Sequence, residues 1–297
     1  MTLLVATFVS NPQTPALSPA LIERGAQALG LSGQTQWLAK DVAADFVFES
    51  TQGPRPLADA LRGTVEPYPI DVIVQPVEGR RKKLFLADMD STMIGQECID
   101  ELADFVGLKE KVSFITERAM RGELAFEPAL RERVALLKGL DVDVIATILA
   151  ERITYTPGGR ELVRTMRAHG AYTALVSGGF TLFTGPVSHA IGFHEHRSNE
   201  LIVESGQLAG RVAEPILGKE AKLASLKDLA RINQLQAHET MAVGDGANDL
   251  AMLEAAGLGV AFHAKPAVAE AAAARIDFAD LTALLYAQGY NRHDFVA

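Results

Sequence analysis

The strongest constraint on the fold is a series of short apolar runs, each stopping in a polar loop. From Lys83 onward these are KLFLAD, AYTALVS, TMAVGD and GLGVAF, with helical stretches between them. Apolar runs of this length are strands buried on both faces. Strands alternating with helices build a parallel sheet covered by helices. The fold class read from the pattern is α/β, with a Rossmann-like parallel sheet. The first crossover is far longer than one helix needs. Residues 97–153 carry ECIDELADFVG, KEKVSFITERAMRG, FEPALRERVALLKG and DVDVIATILAE, an all-helical insertion on that sheet.

The chain has 297 residues and 48% hydrophobic content, which suits about two domains. Upstream of the parallel pattern, residues 2–9 (TLLVATFV) read as a buried strand. Ser18 and Pro19 have the form of an N-cap and a first-turn proline. Helical spacing continues at Ile22, Ala26 and Leu29, and Gly30 is a stop. TQWLA and DFVFES read as strands, PLADALRG as a short helix and IDVIVQP as a last strand. The order β-α-β-β-α-β is the split pattern of ferredoxin-like domains. The expected division is an α+β domain at 1–78 and an α/β domain at 79–297. The polar segment VEGRRKK joins them, and its Arg80, Arg81, Lys82 and Lys83 read as a solvated linker.

A net charge of -9 argues against nucleic acid and anionic membranes as partners. The single cysteine, Cys98, permits no internal disulfide and fits a reducing cytoplasm. It reads as a small core residue. The first residues carry no basic stretch of a signal peptide, and no uncharged apolar run is long enough to span a bilayer.

In open parallel sheets, ligands bind beyond the carboxyl ends of the strands. Three of the strands here end in polar chemistry: Asp88-Met89-Asp90-Ser91-Thr92, Ser177-Gly178-Gly179, and Gly244-Asp245-Gly246-Ala247-Asn248-Asp249. Converging at one edge, they bring together four aspartates with hydroxyls, an amide and a nearby lysine. Crowded carboxylates repel one another unless a cation sits among them. Mg2+ suits one or two carboxylates plus a substrate phosphate. Between a metal and a phosphoester, an aspartate can act as a nucleophile, and a second carboxylic acid two residues on can protonate the leaving alkoxide.

DMDST followed by SGGF, a helix lysine and GDGAND resembles the haloacid-dehalogenase superfamily of phosphohydrolases, and within it the phosphoserine phosphatases. The resemblance covers roughly residues 83–285. It implies Asp88 as nucleophile and Asp90 as general acid and base. Mg2+ would be held by Asp88, the Asp90 backbone carbonyl and Asp245, with Asp249 supporting that site. Ser177, Gly178 and Lys222 would hold the phosphoryl group, and Asn248 would contact substrate. The helical insertion matches the family's cap. There Glu97 matches the partner of a substrate amine, Arg133 the clamp on a substrate carboxylate, and Met120 and Phe126 apolar residues near the substrate. A Glu and an Arg are the complementary pair an amino acid requires, an anion for the ammonium and a planar fork for the carboxylate. The substrate this implies is O-phospho-L-serine, released as serine and phosphate in the last step of serine biosynthesis.

Several residues compete with these. Arg131 shares a helix with Arg133, and Lys219 shares one with Lys222; the resemblance favours Arg133 and Lys222. His194 and His196 read as a solvated loop, and the alanine-rich AEAAAAR at 269–275 as helix. Two other functions stay open. One is a phosphatase or phosphotransferase for another small phosphorylated metabolite. The other is an amino-acid-sensing regulator, since the first 78 residues resemble the ACT family, which also suggests a homodimer through that region.

Overall fold

The computed structural model describes residues 1–121 and 123–297, without the side chain of Met120. The first six elements are β1 (Thr2–Ser10), α1 (Pro19–Ala28), β2 (Gly33–Ala39), β3 (Ala43–Ser50), α2 (Pro54–Val65) and β4 (Ile70–Pro76). They form an antiparallel sheet of order β2-β3-β1-β4, the ferredoxin-like arrangement expected. Strand periodicity divides β1 between two cores. Leu4, Ala6 and Phe8 pack with Phe46, Phe48 and Val72 against the apolar faces of α1 and α2. Val9 points the other way and, with Ala43 and Ile73, joins the core of the second sheet's unit.

That unit begins with β5 (Leu84–Ala87). Four helices follow, α3 (Cys98–Asp104), α4 (Lys109–Met120), α5 (Phe126–Leu136) and α6 (Val144–Glu151), which are the all-helical insertion. The chain returns through α7 (Gly159–Ala168) to β6 (Tyr172–Phe180). It continues through α8 (Thr181–Ile191), β7 (Glu195–Asn199), the hairpin of β8 (Leu201–Glu204) and β9 (Gln207–Val212), and α9 (Lys219–Ile232). The last elements are β10 (Thr240–Gly244), α10 (Leu250–Ala255), β11 (Leu258–Phe262), α11 (Pro266–Ala271), β12 (Ala274–Ile276) and α12 (Ala283–Ala287). The strands make one parallel sheet of order β12-β11-β10-β5-β6-β7. Chain order reverses between β5 and β10, the switch point where α/β sheets open a crevice. None of the helices described is long and apolar enough to cross a membrane.

Three local readings are corrected. The linker is solvated only in part: Arg81 and Lys83 are exposed, as expected, but Arg80 is half-buried and Lys82 buried. Lys82 is 7% exposed, and its Nζ donates to the carbonyls of Gly79 and His238 at 2.9 and 2.8 Å. Arg80 pairs with Asp45 at 2.7 Å, and Arg81 lies over the Tyr290 ring. Lys82 and Arg80 run into the junction between the sheets, where carbonyls and a carboxylate replace water. The alanine run is helical only as far as Ala271, and Ala274–Ile276 form edge strand β12. Pairing with β11 and burial of Ala274 and Ile276 outweigh alanine's helix preference. Of the two histidines read as a solvated loop, His194 is exposed in the bend before β7, as expected, but His196 is not in a loop. His196 lies in edge strand β7, its ring 2.9 Å from the Thr184 hydroxyl, and His194 stacks on Tyr172.

Candidate active site

The site is built at the carboxyl ends of β5, β6 and β10, as the polar strand ends require. Asp88 follows β5 directly and is anchored by its own N–H, which donates to the Val243 carbonyl on β10 at 3.0 Å. Its Oδ1 accepts the Met89 N–H at 2.8 Å and lies 2.7 Å from the Lys222 ammonium. Lys222 is completely buried and also donates to Asp249 Oδ1 at 2.6 Å. Asp249 Oδ2 accepts the Gly246 N–H at 3.1 Å. Gly244 is required here because a Cβ would fall 2.4 Å from the Asp249 carboxyl carbon. Asp245 is 3% exposed, and its Oδ1 accepts the Thr92 hydroxyl at 3.0 Å. Carboxylate oxygens of Asp88, Asp245 and Asp249 all lie within 4.8 Å of one another.

Charge is unbalanced in this cluster. Burial, then the charges of Asp249 and Asp245, push the Asp88 carboxyl well above the carboxylate range, against the pull of Lys222. Asp245 is pushed up to about 8 by burial and by the neighbouring charges of Asp249 and Glu97. Burial alone would lower Lys222, but Asp249 and Asp88 outweigh it and hold the ammonium charged. One ammonium among three carboxylates leaves a deficit of positive charge. A hard divalent cation with oxygen ligands corrects such a deficit, so the donor set fits a metal.

Beside this cluster, a cavity of about 650 Å3 opens between sheet and cap. Asp88, Asp90, Ser177, Gly178 and Asn248 line it from the sheet side, and Glu97, Phe126 and Arg133 from the helical side. Asp90 is pushed up to about 7 by burial and by the Asp88 charge. Glu97 is pushed up to about 8 by burial and by the Asp90 charge, and its Oε1 accepts the Ser91 hydroxyl at 2.7 Å. Ser91 adopts a left-handed φ of 55°, which turns the chain tightly after Asp90. Arg133 is 5% exposed although it carries a charge. Arg131 instead points outward, paired with Glu127 and Glu214. The Phe126 ring closes on the sheet so tightly that a Cβ at Gly178 would lie 2.8 Å from it. Lys219 borders the cavity with an exposed side chain, while Lys222 sits behind Asp88. Met120 ends α4, and its side chain lies outside the described residues.

The Ser177-Gly178-Gly179 segment differs from a simple loop. Strand β6 runs on to Phe180 with a register shift after Val176, and the Ser177 hydroxyl accepts the Gly179 N–H at 2.9 Å. Asn199 explains the shape, and the motif reading missed it. Its Nδ2 donates to the Gly178 carbonyl at 2.8 Å, and its Oδ1 accepts the Leu217 N–H at 2.6 Å. It ties the end of β6 to the segment leading into α9. No local pattern singles out an asparagine at the end of a polar edge strand. Cys98 is fully buried, and its N–H points at Asp90 Oδ1 from 3.5 Å.

An α/β sheet with an acidic, lysine-bearing rim under a helical cap defines a class of phosphate-handling hydrolases. The family model for haloacid dehalogenase-like hydrolases matches residues 85–254, and the chain belongs to that family. A phosphoserine phosphatase of Streptomyces coelicolor is 36% identical over 99% of this chain and 72% of its own length. Another, from Archaeoglobus fulgidus, is 43% identical over 75% of this chain, which spans 65% of that relative's length. The crystal structure of a HAD family hydrolase from Salmonella enterica serovar Typhi superposes with a TM-score of 0.84. It is 28% identical and covers 96% of this chain and 98% of its own.

Proposed function

We propose that this chain hydrolyses O-phospho-L-serine to L-serine and phosphate through an aspartyl-phosphate on Asp88, with Mg2+ bound at Asp88, Asp245 and the Asp90 backbone carbonyl. The observation that carries the reading is one cavity with Asp88 on its floor and an opposed Glu97 and Arg133 in its cap. The first relatives' shared activity supports the same substrate. In the reaction, a carboxylate oxygen of Asp88 bonds to phosphorus as the bond to the serine oxygen breaks. Asp90 gives its proton to that oxygen. In the second half, Asp90 takes a proton from water, the water oxygen bonds to phosphorus, and the Asp88–phosphorus linkage breaks. An acid pushed up to about 7 suits both halves, since it can lose and regain its proton near neutrality.

Mg2+, when bound, screens the Asp88 carboxylate from the phosphate dianion and stabilises charge on the transferring group. Lys222 holds Asp88 in place with a fixed positive charge. The Ser177 hydroxyl and the Gly178 backbone bind phosphoryl oxygens, and Asn248 contacts the substrate. Asp249 orients Lys222 and completes the acidic support of the metal. Glu97 takes the substrate ammonium and Arg133 its carboxylate, while Phe126 supplies apolar contact that excludes water under the cap. Residues 1–78 and 79–297 form two domains in this reading, in keeping with their two large sheets; one face of the first sheet has its own apolar core, and the other face shares a core with the second unit. The test is phosphate release from phosphoserine, phosphothreonine and sugar phosphates, with Mg2+ and with EDTA. Release that is strongest on phosphoserine and abolished by EDTA is expected. Equal rates on sugar phosphates would point to another small phosphate, and no release would remove the reading.

A further inference from the structure

The Arg133 guanidinium is buried, yet it touches no carboxylate directly. Its Nε donates to the Ala129 carbonyl one turn earlier on α5 at 3.1 Å, and its Nη1 donates to the Thr116 hydroxyl at 2.9 Å. Nη2 makes no hydrogen bond to protein among the described residues and belongs to a side chain that lines the cavity. Thr116 is 3% exposed on α4, and its hydroxyl is committed in turn. It lies 2.9 Å from Asp100 Oδ1, and Asp100 Oδ2 accepts the Ser113 hydroxyl at 2.7 Å. The Thr116 oxygen also lies 3.0 Å from the Val112 carbonyl. The chain Arg133–Thr116–Asp100 thus crosses from α5 through α4 to α3.

We propose that Thr116 and Asp100 are positioning residues that set substrate specificity by fixing the rotamer of Arg133, leaving one edge of its fork for the carboxylate of an amino-acid phosphate. This deepens the proposed function and rests on it. A guanidinium clamp is specific because it is planar and held still. Glu97, Asp100 and Asp90 all attract the Arg133 charge, so its position among them has to be fixed by hydrogen bonds. The Thr116 hydroxyl supplies one by accepting from Arg133 while donating to Asp100. Hydrogen bonds within such a chain strengthen one another in a site of low polarity. Ser113 holds Asp100 from its other side. Phosphate chemistry on Asp88 does not involve these groups, so their effect falls on the recognition of one substrate group.

The test is steady-state kinetics of the full chain on phosphoserine and on O-phosphoethanolamine, which keeps the phosphate and the amine but lacks the carboxylate. Thr116→Val is expected to lower kcat/KM for phosphoserine about 10- to 100-fold, chiefly through KM, the range for loss of a hydrogen bond to a charged group. The loss on phosphoethanolamine is expected to be at least about tenfold smaller, and Thr116→Ser to restore most of the phosphoserine activity. In an Arg133→Ala background, adding Thr116→Val is expected to cost less than about threefold, because both changes remove one interaction. Equal losses on both substrates, or additive losses in the double variant, would overturn the proposal, as would Thr116→Val matching the parent. Should Thr116→Val fail to fold, the same comparison is read from Asp100→Asn. Parent protein inactive on phosphoserine would sink the proposed function together with this inference, whereas active parent and unaffected variants sink the inference alone.

Discussion

At the residue scale, the site is a problem of crowded negative charge. Asp88, Asp90, Asp245 and Glu97 all have their carboxyls pushed up, with burial the largest cause. Each holds a proton in the folded protein at a pH where an unfolded chain would release it. The folded state therefore binds more protons, and stability contributed by these groups is lost as pH rises through their folded values. For Asp90, at about 7, and for Asp245, at about 8, that window runs from mildly acidic to mildly alkaline. A metal-free sample should melt at lower temperature at pH 8.5 than at pH 5.5. Added Mg2+ should raise the melting temperature more at the higher pH, since ionised ligands bind it best. Calorimetry across pH with and without Mg2+ checks both; a Mg2+ effect that grows towards acid would contradict them. The aspartates themselves were legible in the sequence because DMDST and GDGAND stand at the ends of apolar runs. Asn199, Thr116 and Asp100 were not, because their value lies in partners distant along the chain.

At the scale of elements, close approach of backbone to backbone fixes the rim. Gly259 on β11 packs against α10 so tightly that a Cβ would fall 2.0 Å from the Leu253 carbonyl oxygen. Because the obstacle is backbone, it cannot swing aside. Gly259→Ala should cost about 3 kcal/mol in stability, the upper range for overpacking, measured by denaturant unfolding. A loss below about 1 kcal/mol would mean that α10 slides easily on the sheet. Gly178 differs, because its obstacle is the far end of a side chain on the cap. Gly178→Ala should leave stability nearly unchanged but lower kcat/KM about tenfold or more, since displacement of Phe126 disturbs cap closure. Strands β5, β10 and β11 and the helical insertion were readable from their apolar runs and helical spacing. Edge strands β7 and β12 escaped notice: EHRSN is polar throughout, and the short ARI follows an alanine run that favours helix. An edge strand needs only one paired neighbour, so its sequence carries little of the pattern that marks a central one.

At the scale of the whole molecule, the two sheets are joined by buried polar contacts. Asp71 at the start of β4 accepts the N–H groups of Asp277, Phe278 and Ala279, which follow β12, at 2.7, 3.2 and 2.8 Å. Gln75 donates to the Ala287 carbonyl at 2.8 Å, and Arg80 reaches Asp45 on β3. Asp71→Ala would leave three backbone donors without their partner, at a cost of about 2–4 kcal/mol. Unfolding of the parent in urea should be a single transition, and that of Asp71→Ala should separate into two as the sheets uncouple. A variant that keeps one transition at the parent's midpoint would show that the junction draws its strength from elsewhere. The apolar run of β1 read as a buried strand but did not announce what its second face meets, since the polar Thr7, Asp71 and Gln75 buried there carry no sign of the opposing sheet. The whole arrangement brings distant strand ends to one rim, where the proposed reaction has the Asp88 carboxylate take a phosphoryl group. The most direct test is to mix protein, Mg2+ and phosphoserine, quench in acid within the first turnover, reduce with borohydride and sequence the peptides by mass spectrometry. Homoserine at position 88, formed only when substrate was present, is the predicted result. An unmodified Asp88 with the phosphoryl group captured on another side chain, or on none during active turnover, would contradict the account.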